Sequence, residues 1–140
     1  NDCFICESNG CRTGVMFGAS LLEVHTSWSW IMIIGNGLAG LWALVAHKNT
    51  SLRSRALWWF TGISQVSVFV QVVLGVAVVN RDKIEYPAFH AFYGFVAIIA
   101  IAIIYSYRAQ VKSKMYLLYG FGGLFIMGLG IRAMLVGQAG

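Results

Sequence analysis

The chain has 140 residues, of which 59% are hydrophobic and only 11% charged, with a single proline and a net charge of +5. An ordinary soluble domain carries roughly 25% charged residues, so the composition excludes one and points to a membrane protein. The positive charge does not indicate a nucleic-acid surface, because it falls in loops too short to form a groove.

The first twenty or so residues, beginning NDCFICESNGCRTG, read as an extramembrane head with Cys3, Cys6 and Cys11. Outside the membrane these thiols can be free or form a disulfide. As a metal site they are weaker candidates: the C-x2-C-x4-C spacing supplies three thiolates, an incomplete set for zinc or an iron–sulfur cluster. Covalent haem attachment needs a histidine after the second cysteine, and here Glu7 follows Cys6. The chain opens on Asn, with Met16 available as a start, so a head that is not natural sequence is a further open reading.

Residues 21–137 form the second part, an all-α transmembrane bundle. A spanning helix takes about 20 apolar residues, and four runs qualify: Leu21 to Ala46, Ala56 to Val79, Ala88 to Tyr107, and Met115 to Val136. Connections of about seven to nine residues suit antiparallel neighbours, giving an up-down-up-down four-helix bundle. Lys48, Arg53 and Arg55 follow the first span, and Arg108, Lys112 and Lys114 follow the third, with no acid in either loop. The positive-inside rule makes those loops cytoplasmic. Both termini, and all five acids, Asp2, Glu7, Glu23, Asp82 and Glu85, then lie on the non-cytoplasmic side.

Taken in order, the first span opens with Glu23 and His25 and carries Gly35, Ala39 and Ala43 at helical spacing. Small residues so placed mark helix contacts in lipid. Its string GNGLAG matches a dinucleotide-binding pattern, but it lies inside an apolar run rather than after a strand, and so reads as packing. The second span has a small and polar stripe, Thr61, Ser64, Ser67, Gln71 and Gly75, expected to face inward; Gln65 and Gln71 read as interhelical hydrogen-bond partners. Pro87 precedes the third span, a tolerated place for proline. In the fourth, Gly120, Gly122, Gly123, Gly128 and Gly130 permit close approach of a helix or a flat cofactor, packing being the preferred reading. Arg132 near its end can snorkel to the interface.

Two stretches repeat. HTSWSWIMII from His25 and HAFYGFVAII from His90 share a histidine, two aromatics and an Ile-Ile pair at equal offsets. The spans that hold them run in the same direction, so His25 and His90 come to similar depth near the outer face, as in a parallel repeat. If both face the bundle axis, three readings stay open. They can be structural; they can be the axial ligands of one haem b; or, with Glu23 and Arg132 in support, they can serve a quinone or handle protons. A second bis-histidine haem is excluded, since His47 is the sole remaining histidine. No HExxH, GxSxG, P-loop or paired-carboxylate motif occurs in the spans, which disfavours a hydrolase.

The segments LRSRALWWF, FHAFYGFVAII, IIYSYR and YLLYGFGGLFIMGLGIRAM resemble small four-span membrane proteins of actinobacteria, across about Leu21 to Gly137. Some of that group are accessory subunits of the cytochrome bcc–aa3 respiratory supercomplex. The resemblance implies a bacterial plasma-membrane protein with the lipid bilayer and other respiratory subunits as partners, and carries no catalytic residue. The leading expectation is therefore a non-catalytic accessory subunit of an electron-transfer complex, stabilising it or shaping its quinone and lipid surroundings. The alternative is a small b-type cytochrome or quinone-linked redox protein with one cofactor at His25 and His90.

Overall fold

The computed structural model describes the backbone of residues 3–82 and 85–139 and the side chains of residues 21–81 and 85–138. Among the described residues there are four long helices: α1 (Cys3–Lys48), α2 (Arg55–Asp82), α3 (Ala88–Tyr107) and α4 (Met115–Ala139). Each contains a segment long and apolar enough to cross a membrane, that of α1 being Leu21–Lys48. The side chains of Cys3, Cys6 and Cys11 lie outside the described residues.

Each helix packs on its neighbours in chain order, and α4 closes the ring against α1, so α1 and α3 face one another across the diagonal. The contact of α1 with α4 is the most extensive, and glycine explains it. A methyl group on Gly40 would lie 2.8 Å from the Gly120 carbonyl oxygen and 2.9 Å from the Leu124 nitrogen. One on Gly123 would lie 2.8 Å from the Asn36 carbonyl oxygen and 2.9 Å from the Gly40 Cα. Backbone meets backbone here, which only hydrogen side chains permit. The GNGLAG string thus does pack a helix, and the fourth-span glycines serve the same purpose, with Gly122 against Ile104 and Gly130 against Met32 and Ile33. Leu57, Val68 and Ile126 complete the dry interior.

The seam between α1 and α2 is polar instead. Asn36, almost fully buried, donates from Nδ2 to the Met32 carbonyl at 2.9 Å and to the Ser64 carbonyl across the seam at 2.8 Å. Trp28 Nε1 donates to the Ser67 carbonyl at 3.1 Å. Thr61, Ser64 and Ser67 are all buried along this line. Interhelical hydrogen bonds in membrane proteins contribute about 0.6 kcal/mol on average and up to about 1.7. Asn36→Leu is expected to cost about 1–2 kcal/mol, since it removes one bond across the seam and one within α1, while the Ser64 carbonyl keeps the Ser67 hydroxyl, which donates to it at 2.6 Å. Unfolding of the detergent-solubilised protein measures this, and an unchanged midpoint would show the seam to be held by packing alone.

At the end with the two basic loops, α1 is closed by a side chain from beyond it. Arg53 donates from Nε to the Ala46 carbonyl and from Nη2 to the His47 carbonyl, both at 2.9 Å, taking up acceptors that a helix C-terminus leaves open. Its guanidinium also lies 4.7 Å from the centre of the Tyr116 ring on α4. Arg53→Ala should cost about 1 kcal/mol and speed amide hydrogen exchange at the last turn of α1. Arg53→Lys, which lacks the fork, should restore little.

Candidate functional site: the paired histidines

Two residues apart on a helix point in opposite directions, whereas three or four apart share a face. His25 is buried toward the bundle axis, and Glu23, two residues earlier, is exposed. His90 lies in the first turn of α3, whose start is set by Pro87 with the extended backbone expected before a helix; the His90 amide donates to the Pro87 carbonyl at 2.8 Å.

The two imidazoles come together across the diagonal. Their ring centres are 6.1 Å apart with the planes at 63°. The repeat in the sequence has a structural counterpart: the paired residues Trp30 and Phe95 are exposed, as are Ile34 and Ile99, while Trp28 and Tyr93 are half-buried. The same spacing thus directs a histidine inward and an aromatic outward on two parallel helices.

All four helices hold the pair. From α2, the Gln71 side-chain nitrogen lies 3.4 Å from His25 Nε2, and Gly75 leaves room for the ring, since a methyl group there would be 3.1 Å from His25 Cε1. From α4, the Ala133 carbonyl accepts from His90 Nδ1 at 2.8 Å, and Gly137 makes the matching space, a methyl there falling 2.7 Å from the same nitrogen. Tyr86 stacks on the outer side of His90, with ring centres 5.3 Å apart and planes at 23°. A proton on His90 Nδ1 leaves the lone pair on Nε2, the arrangement in which a second hydrogen bond orients a metal-binding imidazole. His25 Nδ1 is buried and has no protein hydrogen-bond partner.

No family model, no curated protein and no solved structure matches the chain.

The pair supplies two imidazole donors with ring centres 6.1 Å apart, the donor chemistry that haem iron takes from a protein. Among the described residues no group of three His, Cys, Asp or Glu side chains could hold a metal ion. Two facing imidazoles suit haem iron, whose other four ligands come from the macrocycle, better than a free ion, which needs three or four protein ligands. Arg132, like Glu23, is exposed, so neither is gathered into the buried part of the site. Gln71, Gly75, Ala133 and Gly137 were not singled out as site residues by spacing alone. Their positions four residues apart on each helix, Gln71 with Gly75 and Ala133 with Gly137, are the signal that accompanies each histidine.

Proposed function

We propose that this chain is a small redox subunit of a bacterial membrane electron-transfer complex, with His25 and His90 holding one cofactor of the haem b class near the non-cytoplasmic face. The observation that carries the reading is the meeting of the two imidazoles, from opposite corners of the bundle, with ring centres 6.1 Å apart. Bound there, a haem supplies one-electron transfer. The chain's own residues would orient the ligands: Ala133 fixes the tautomer and plane of His90, and a Gln71 amide turned to present its oxygen to His25 Nε2–H would leave the His25 Nδ1 lone pair for the cofactor. Gly75 and Gly137 keep the rings clear of the neighbouring helices. Burial of His25 would keep water away from a cofactor held there.

A second reading is the non-catalytic accessory subunit, in which the same pair is a packing element. It is supported by the protein contacts each imidazole already has, the Gln71 amide, the Ala133 carbonyl and the Tyr86 ring. The outward aromatic ridge of α3, Phe89, Phe92 and Phe95, also offers a partner helix a surface.

The absorption spectrum of the chain purified from its native membrane separates the two. A Soret band with the sharp reduced bands of a bis-histidine haem supports the first reading. A folded, colourless chain that copurifies with haem-containing subunits removes it and favours the second.

A further inference from the structure

The bundle has a second polar feature, at the end opposite the histidines. Between α2, α3 and α4, near the basic loops, lies a cavity of about 350 Å³, within the range of small-molecule sites. Its walls are aromatic: Trp58, Tyr105 and Tyr119, the rings of Trp58 and Tyr119 packing edge to face with centres 5.1 Å apart. Arg108, at the C-terminal end of α3, lies at its mouth with the guanidinium 5.0 Å from the centre of the Tyr105 ring. Gln65 lines it from α2, ten residues beyond the start of that helix and so about 15 Å along its axis.

Gln65 is the decisive residue. It is 97% buried, from an exposure of 3%, and neither its amide nitrogen nor its amide oxygen has a protein hydrogen-bond partner. Buried amides are almost always satisfied, and the sequence reading of Gln65 as an interhelical hydrogen-bond partner is not met by any described residue. An unpaired primary amide on a residue that lines an aromatic cavity is open to a hydrogen-bonding group from outside the protein, a ligand or a bound water.

We propose that this cavity binds the head group of a membrane quinone, one carbonyl oxygen accepting from the Gln65 amide and the opposite one facing Arg108. The ligand's chemistry follows from the walls. They demand a flat ring for stacking, neutral where it is buried, because Gln65 carries no charge, and bearing oxygens at two ends. The isoprenoid tail has an exit along α2 and α3, the neighbouring helices that pack least against each other. An anionic phospholipid would satisfy Arg108 but would present only acyl chains to Gln65. The proposal is one of binding, and it goes beyond the histidine site without depending on it.

The test uses the full chain in phosphatidylcholine nanodiscs, titrated with a short-tailed naphthoquinone and a short-tailed benzoquinone and followed by tryptophan quenching and by retained quinone. Saturable binding near one per chain is expected for at least one of them. Gln65→Leu and Arg108→Ala should each weaken it about tenfold, the effect of one good hydrogen bond. Gly62→Leu should abolish it. Gly62 lines the cavity, and a Cβ there meets nothing within 4 Å, so that variant fills the space without disturbing the helices and decides the matter even if the other two fail to fold. Gly128→Val, outside both sites and with nothing within 4 Å of the added Cβ, should leave binding unchanged. The proposal is overturned if neither quinone saturates, or if Gly62→Leu binds like the parent. Displacement by phosphatidylglycerol that depends on Arg108 and not on Gln65 would assign the cavity to lipid instead. A missing Soret band would sink the haem reading and leave this result untouched.

Discussion

Gly123→Val and Gly40→Val are each expected to prevent the bundle from forming, with a cost of about 3 kcal/mol or more. The reason is what the new side chain would strike. A methyl on Gly40 meets the Gly120 oxygen, the Leu124 nitrogen and the Gly123 carbonyl carbon, all backbone, at 2.8 to 3.2 Å. A flexible side chain could turn aside, but two helix backbones can only separate. Separation would open the most extensive helix contact in the molecule and pull the Asn36 region away from α4. Gly128→Val is the control: that residue sits in α4 with Gly123, is exposed, and a Cβ there meets nothing within 4 Å. It should unfold in detergent at or slightly above the parent's midpoint, since valine has the better helix propensity. Equal stability of the Gly40 and Gly128 variants would show that the α1–α4 contact is looser than the distances imply.

The second large effect is on the proposed cofactor. On the haem reading His25→Ala and His90→Ala should each abolish the haem spectrum while leaving helix content intact, because each removes one of the two imidazoles that would hold the group and at most one hydrogen bond to a neighbouring helix, that of His90 to the Ala133 carbonyl. Gln71→Leu should be milder. Residues that orient metal ligands typically contribute 10- to 100-fold to affinity, so pigment should be retained in fresh membranes and lost on prolonged washing in detergent. Gly137→Val should behave like a partial His90 defect, since its side chain would push the imidazole from the Ala133 carbonyl. A parent-like spectrum in either alanine variant would end the axial-pair assignment.

The four helices were legible because the lipid-spanning requirement leaves a coarse mark on composition: about 20 apolar residues at a time, separated by charge. The structure places α2, for example, at Arg55–Asp82 where hydropathy gives Ala56 to Val79. The difference is the polar turns at each end, which hydropathy does not weigh. That His25 and His90 share a depth was legible too, through the repeat; that both turn to the bundle axis stayed a condition until the two rings were found together. What the sequence did not disclose was partner identity. Nothing in the spacing of Gln65 and Gln71 says that one reaches His25 and the other reaches no protein group, because that depends on which helix stands opposite and how near. Likewise Glu23 is close to His25 along the chain but a half-turn away around the helix, so adjacency in sequence overstated its share in the site. Arg53 was read only as a cytoplasmic charge; its closure of α1 depends on the loop folding back, which composition cannot encode.

The imidazole pair draws on every rod of the bundle: His25 from α1, Gln71 and Gly75 from α2, His90 from α3, and the Ala133 carbonyl from α4. During synthesis the last of these emerges more than a hundred residues after the first, as their numbering shows. A ribosome therefore cannot finish the site piecemeal, and a fragment comprising α1 and α2 would expose one lone imidazole with nothing opposite it. Loading of any prosthetic group must wait for α3, and the locking of His90 must wait for α4.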